Sequence, residues 1–259
     1  MSLKKSVGFS GISTAKAALG TFIEIQGKPL GEHPRVVRFM TGIARQLPRQ
    51  PRYSEIWDPT QVIEFFKAWS PAKILNFFQL SVKTAVLLLL VTGQRPQILS
   101  HLSLDLMVRK KGVFKFFITQ NLKHSRGNQA ATEIVLHNFP ADKRVCIVNY
   151  LSAYIQRTEP IRKSQQLFIT TTRPYGPASL QTLTRWVKFG LQKAGINVTR
   201  FSAGSTRAAA SNAALRAGVP IQTILARAAW ATESTFQKWY RKPLVNQSPD
   251  FQTAVLSRK

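Results

Sequence analysis

Phe201–Tyr240, FSAGSTRAAASNAALRAGVPIQTILARAAWATESTFQKWY, decides how the chain reads. Gly204-Ser205-Thr206-Arg207 opens an alanine-rich helix, Gly218-Val219-Pro220 stops it and starts a second, and a third stretch, dense in aromatics, ends at Tyr240. An arginine at one helix start and a tyrosine at another helix end, delivered to one place, point to phosphate chemistry.

The charge balance agrees. The 259 residues hold 37 Lys and Arg against 11 Asp and Glu, a net charge of +26 spread along the chain and not gathered in a tail. A polyanion is the expected partner, bound with counterion release and therefore with steep salt dependence. Charge alone leaves a ribosomal-type basic protein or an anionic membrane surface open. Apolar residues make up 44% of the chain, which excludes a disordered basic arm.

A single cysteine, Cys146, excludes an internal disulfide framework and a multi-thiolate zinc site; within Val145-Cys146-Ile147-Val148 it reads as buried filler. His33, His101, His124 and His137 have no metal-ligand spacing, so no metal is expected. The longest apolar run, Ala85–Val91, is far short of the ~20 residues that span a bilayer. Glycines, serines and Lys16 break any signal-peptide core at the amino terminus.

Working outward, Ser13–Glu24 and His33–Ala44 predict helices too small for a core of their own, followed by a proline- and arginine-rich linker at Gln46–Arg52. Asp58-Pro59-Thr60 starts a helix that Pro71 ends, and Leu75–Gly93 predicts a buried helix with Val82, Val86, Leu89 and Leu90 inward. That helix stops at Thr92-Gly93-Gln94-Arg95-Pro96, with a second helix expected after Pro96. Val113–Ile118 and Thr132–Leu136 predict a β-hairpin whose tip, Asn121–Asn128, is cationic. A helix over Asp142–Arg157, with Val145, Val148, Leu151 and Tyr154 inward, a short strand at Leu167–Ile169 and a helix over Ser179–Ala194 capped by Gly195 complete an α+β class.

Three separated pieces then fall into one order: TGQR ending at Arg95, the hairpin lysine Lys123, and GSTR ending at Arg207 with Trp230 and Tyr240 after it. In that order they resemble the catalytic domain of the tyrosine recombinases, the phage-integrase family. HPRVVRFMTGIARQLPRQPRYSEIWDP, TGQRPQILSHLSLD, FSAGSTRAAASNAAL and ESTFQKWYRKP resemble more closely the recombinases of DIRS/Ngaro retrotransposons. The resemblance runs from His33 to Pro243. It implies a mostly helical catalytic domain with a small antiparallel sheet over 53–245, a partial helical core-binding segment and linker over 1–52, and a tail over 246–259.

The resemblance further implies double-stranded DNA as partner, a homo-oligomer on that DNA, a nuclear site of action, and cutting and rejoining with no metal or nucleotide cofactor. Tyr240 would attack the phosphodiester to give a 3′-phosphotyrosyl link. Arg95 and Arg207 would hold the non-bridging oxygens with forked donors, Trp230 would donate from its indole N–H, and Lys123 would protonate the departing 5′-oxygen. Read singly, each residue has a plainer account: Tyr240 in a packing cluster with Phe236 and Trp239, Trp230 in a core, Lys123 in a solvated turn, and Arg95 at a helix C-terminus.

Two positions depart from the family. Gly204 stands where the second arginine is usually preceded by His, and supplies neither donor nor base; Ile98 stands where many relatives carry an acidic or polar residue. Three functions follow: an integrating recombinase of a retroelement, a DNA-binding relative impaired in cutting, and, third, a topoisomerase using the same phosphotyrosine chemistry.

Overall fold

The central helix of the fold is buried on nearly every side. The computed structural model describes residues 7–48, 51–119, 132–228, 230 and 232–245, and divides into two compact units, Met1–Arg52 and Tyr53–Lys259.

The first unit holds α1 (Phe9–Leu19), a two-stranded hairpin of β1 (Glu24–Ile25) and β2 (Lys28–Pro29), and α2 (Pro34–Gln46). Helix α1 lies earlier than the expected Ser13–Glu24, because Gly20 ends it and Gln26-Gly27, both at positive φ, turn the chain into the hairpin. None of its described residues is buried, as expected of two short helices without a third layer.

In the second unit α3 (Pro59–Ala68) starts where Asp58 accepts the Thr60 N–H, with Pro59 at its first turn. Helix α4 (Phe77–Thr92) begins at a capping box of Asn76 and Gln79 and ends at Gly93, whose φ of 63° is the left-handed cap that a glycine takes without strain. Val82, Val86 and Leu89 are buried as expected, whereas Leu90 is half-buried. After Pro96 the chain makes a 3-10 turn, Pro96–Ser100, in place of a second α-helix.

The three-stranded antiparallel sheet runs β3 (Met107–Lys110), β4 (Val113–Ile118), β5 (Thr132–His137) in that order. Phe114 faces Leu136 and Phe116 faces Ile134, so the buried side of the pleat is set by alternation along β4. The hairpin tip carrying Lys123 lies outside the described residues.

Helix α5 (Ile147–Thr158) begins later than Asp142, because the Asp142 carboxylate accepts both the backbone and the side-chain N–H groups of Arg144 and holds a turn there. Val145 therefore precedes the helix, while Val148, Leu151 and Tyr154 are buried on it. Leu167–Ile169 is buried but forms no strand: only isolated bridges flank it, and the Tyr154 hydroxyl accepts the Ile169 N–H. Helix α6 (Leu180–Lys193) follows its Ser179 cap, and α7 (Ser205–Arg216), α8 (Ile221–Arg227) and α9 (Glu233–Trp239) are the three helices of the opening stretch. This second unit is a mostly helical domain with a small antiparallel sheet.

Two features lock α4 in place. Lys83, fully buried on it, donates to the carbonyls of Phe66 (2.6 Å), Trp69 (2.6 Å) and Arg144 (2.7 Å) and lies 3.7 Å from the Tyr150 ring centre. Burial pulls its pKa down to about 7, with the charge of Asp142 acting the other way. Gly190 on α6 lets the two helices close: a Cβ there would stand 2.9 Å from Val82 Cγ1, 3.0 Å from Val86 Cγ2 and 3.2 Å from Phe66 Cζ. All three neighbours are fully buried and have no room to give. Gly190→Ala is expected to cost about 1–3 kcal/mol through overpacking. Urea denaturation would read it as a lower midpoint at unchanged slope.

Candidate functional site

Helix α7 gathers the site because its first turn is tied down from outside. Trp57 donates its indole N–H to Ser205 Oγ (2.8 Å), and the Tyr53 hydroxyl meets Ser202 Oγ (2.7 Å) and accepts the Ser202 N–H (3.1 Å). Arg207, one turn in, is 1% exposed. Its guanidinium carbon lies 3.9 Å from the Trp230 ring centre and 6.0 Å from that of Tyr240.

The two aromatics touch each other. Their ring centres are 3.9 Å apart with planes at 71°, and Phe236 packs edge-on against Trp230 at 5.8 Å. Leu225, Ala228, Trp230 and Phe236 form a small apolar cluster of their own, and Tyr240, half-buried, packs on both this cluster and the main core. The Trp230 Nε1–H is buried with no hydrogen-bond acceptor among the described residues. A buried donor in that state is open to an incoming acceptor.

Arg95 arrives from the end of α4. Gly93 brings the backbone against α7 and α8, where a Cβ would stand 3.4 Å from Ala228 Cβ and 3.7 Å from Ser211 Oγ. Gln94 fastens the turn by donating to the Arg227 carbonyl at 2.8 Å. Arg95 is close enough to act on Arg207: burial, then the Arg95 charge, pull the Arg207 pKa down to about 9, and Tyr240 acts in the opposite direction. Two guanidinium groups converging beside a buried indole N–H can take an oxyanion, which would relieve their repulsion.

Four of the five candidates, Arg95, Arg207, Trp230 and Tyr240, are thus brought together, and Lys123 lies outside the described residues. Gly204 precedes α7 and is exposed; a Cβ there would meet only Ser202 Oγ, at 3.7 Å. Ile98 is 2% exposed in the apolar core and presents no polar group to the site. Among the described residues no group of three or more His, Cys, Asp or Glu could hold a metal ion.

The sequence reading missed Trp57, Tyr53 and Asn212. Asn212, buried on α7, donates to the Tyr240 carbonyl (2.6 Å) and accepts the Lys242 N–H (2.9 Å). Its signal was an asparagine inside an alanine-rich helix, where that residue type is out of place unless its amide is used.

A search of curated proteins returns no match. Among solved structures, the XerH site-specific recombinase bound to its difH substrate is similar over 99% of this chain and 71% of its own, at 10% identity and a TM-score of 0.55. The Tn1549 transposon integrase in complex with transposon right-end DNA is similar over 98% and 79%, at 14% identity and a TM-score of 0.56. A lambda integrase dimer bound to a core site is similar over 95% and 68%, at 12% identity and a TM-score of 0.50. These likenesses establish the fold, and the sequence itself matches the model of the phage integrase family over residues 59–246. With a match that takes in most of the chain, the protein belongs to the phage integrase family, the tyrosine recombinases that break and rejoin DNA.

Proposed function

We propose that this chain cuts duplex DNA with Tyr240 and integrates a DNA element by rejoining the ends. The observation that carries the reading is the edge-on contact of Tyr240 with Trp230, whose ring lies under the buried Arg207 guanidinium. In the cutting step the Tyr240 oxygen bonds to phosphorus while the bond from phosphorus to the 5′-oxygen breaks. The phenol gives up its proton to solvent water, and the 5′-oxygen takes one from Lys123 in the role the resemblance gives it. Arg95, Arg207 and the Trp230 N–H serve the non-bridging oxygens, where charge builds. Attack by a 5′-hydroxyl reverses the step, so no external energy source is consumed.

The net charge of +26 supports duplex DNA as partner. Lambda integrase is seen as a dimer on a core site and as a tetramer on a Holliday junction, which supports a homo-oligomer of this chain on DNA. Segment 1–52 is assigned to the DNA clamp. The kinship with DIRS/Ngaro recombinases, the retroelement role and the nuclear site of action rest on the sequence resemblance.

A second reading, a DNA-binding relative that no longer cuts, is favoured by one observation: glycine at 204 supplies no base for the phenol proton and no donor for the phosphate. A nicked suicide duplex separates the two. Wild type is expected to form a covalent adduct that survives denaturing electrophoresis and that Tyr240→Phe does not form. Salt-sensitive retention of DNA without any adduct would assign the second reading. Because the space at Gly204 is open, Gly204→His is expected to leave the melting temperature unchanged and to raise the cleavage rate on the order of a hundredfold.

The buried cation gives a separate check. Without DNA, Arg207→Met is expected to be at least as stable as wild type in urea, since burying a charge is costly and methionine fills the space. In the unfolded chain the arginine holds its proton to its ordinary, much higher value, and in the native state only to about 9. The unfolded chain therefore binds more protons between those values, and wild-type stability should gain on the variant as pH rises past about 9. Equal pH dependence of the two proteins would remove the buried charge from the account.

A further inference from the structure

We propose that Asn212 is the positioning residue for Tyr240, clamping the tyrosine's backbone to the helix that carries Arg207. The inference rests on Tyr240 being the nucleophile. Every polar group of the Asn212 amide is used. Its Nδ2 donates to the Ala208 carbonyl in the preceding turn (2.7 Å) and to the Tyr240 carbonyl (2.6 Å), and its Oδ1 accepts the Lys242 N–H (2.9 Å). The side chain is 3% exposed, so water offers these groups little competition.

Tyr240 needs such a fixture. It follows α9, a helix of seven residues, and has φ −123° and ψ −27°, outside the regular helix. A helix of two turns has little stability of its own. At its end the Tyr240 and Arg241 N–H groups both donate to the Phe236 carbonyl, and the Tyr240 carbonyl has no following turn to accept from. Asn212 supplies that donor and then holds the next amide but one. Further along, the Ile56 N–H donates to the Pro243 carbonyl (2.9 Å) and the Val245 N–H to the Ile56 carbonyl (2.9 Å). Among the described residues the backbone from Tyr240 to Val245 is thus held by Asn212 at one end and by Ile56 at the other, and it is Asn212 that bonds the Tyr240 carbonyl.

Arg207 and Asn212 share α7, so the clamp fixes the nucleophile's backbone in the same rigid body as a phosphate-holding guanidinium. The Trp230 face then limits where the ring can turn. A misplacement of about 1 Å in such a pair can cost on the order of a hundredfold in rate. Asparagine suits the task over aspartate, because its amide NH2 must donate to two carbonyls while its single oxygen accepts from a backbone amide.

The test uses the full chain and two variants, Asn212→Ala and Asn212→Asp, with three readouts: single-turnover cleavage of a nicked suicide duplex, DNA affinity, and hydrogen exchange at the Lys242 amide. Asn212→Ala is expected to slow cleavage about tenfold or more, to keep DNA affinity, and to speed Lys242 exchange. Asn212→Asp keeps the acceptor for Lys242 but turns a carboxylate towards two carbonyls. Protonation restores a donor there, so its cleavage rate relative to wild type should recover as pH falls from 8 to 5. Unchanged Lys242 exchange in Asn212→Ala would overturn the clamp, and so would an aspartate variant whose relative rate ignores pH. Should wild type form no adduct, the catalytic reading fails, while Lys242 exchange still decides for or against the clamp.

Discussion

A guanidinium held out of water against an indole face is the constraint on which the second unit is organised. Burial lowers the Arg207 pKa and Arg95 lowers it further, so two cations are kept together in a place that disfavours the charge of Arg207. The fold supports this with rigid surroundings. Trp57 and Tyr53 tie the start of α7 through Ser205 and Ser202, and Gly93 and Gln94 press the end of α4 onto the same helix. None of these contacts lowers the charge cost; together they prevent the chain from relaxing to avoid it.

The same rigidity reaches Tyr240 by a different route. Its ring is set by Trp230, which sits in a small apolar cluster apart from the main core, and its backbone by Asn212. Position therefore depends on α7 twice, once through the Arg207–Trp230 stack and once through the amide. Helix α4, fixed by three carbonyls on Lys83 and by close packing at Gly190, is the body against which α7 is held.

What the sequence made legible follows from how local each signal is. The three helices of the opening stretch were readable because Gly218 and Pro220 punctuate them, and α4 because an apolar run ends at a glycine. Strand β3 was not read: Arg109 and Lys110 give it the look of a loop, although on an exposed edge strand charged side chains are tolerated and protective. The start of α5 was misplaced because Asp142, which looks like a helix cap, spends its carboxylate on Arg144. Lys83 drew no reading from the sequence and is a three-way tether in the fold, since its acceptors come from segments distant in sequence. Arg95, Arg207, Trp230 and Tyr240 were singled out by motifs that resemble the family's, whereas Trp57 and Asn212 act through contacts that no motif encodes.

Gly204 has to be weighed against this frame. Its departure is confined to one side chain: the turn it occupies is held by Tyr53 and Trp57, and the space beside it is open. A chain that only needed to fold would gain from methionine at 207 and from an indole acceptor at 230, because a buried cation and an orphan donor each subtract from stability. On the proposed reading both groups would share one external partner, an oxyanion of the DNA backbone. On that reading a phosphate diester would need no group from position 204 to be held, so binding and proton transfer would be separable. On the proposed reading the missing group at 204 weighs on cleavage more than on the hold that Arg207 and Trp230 would have on DNA.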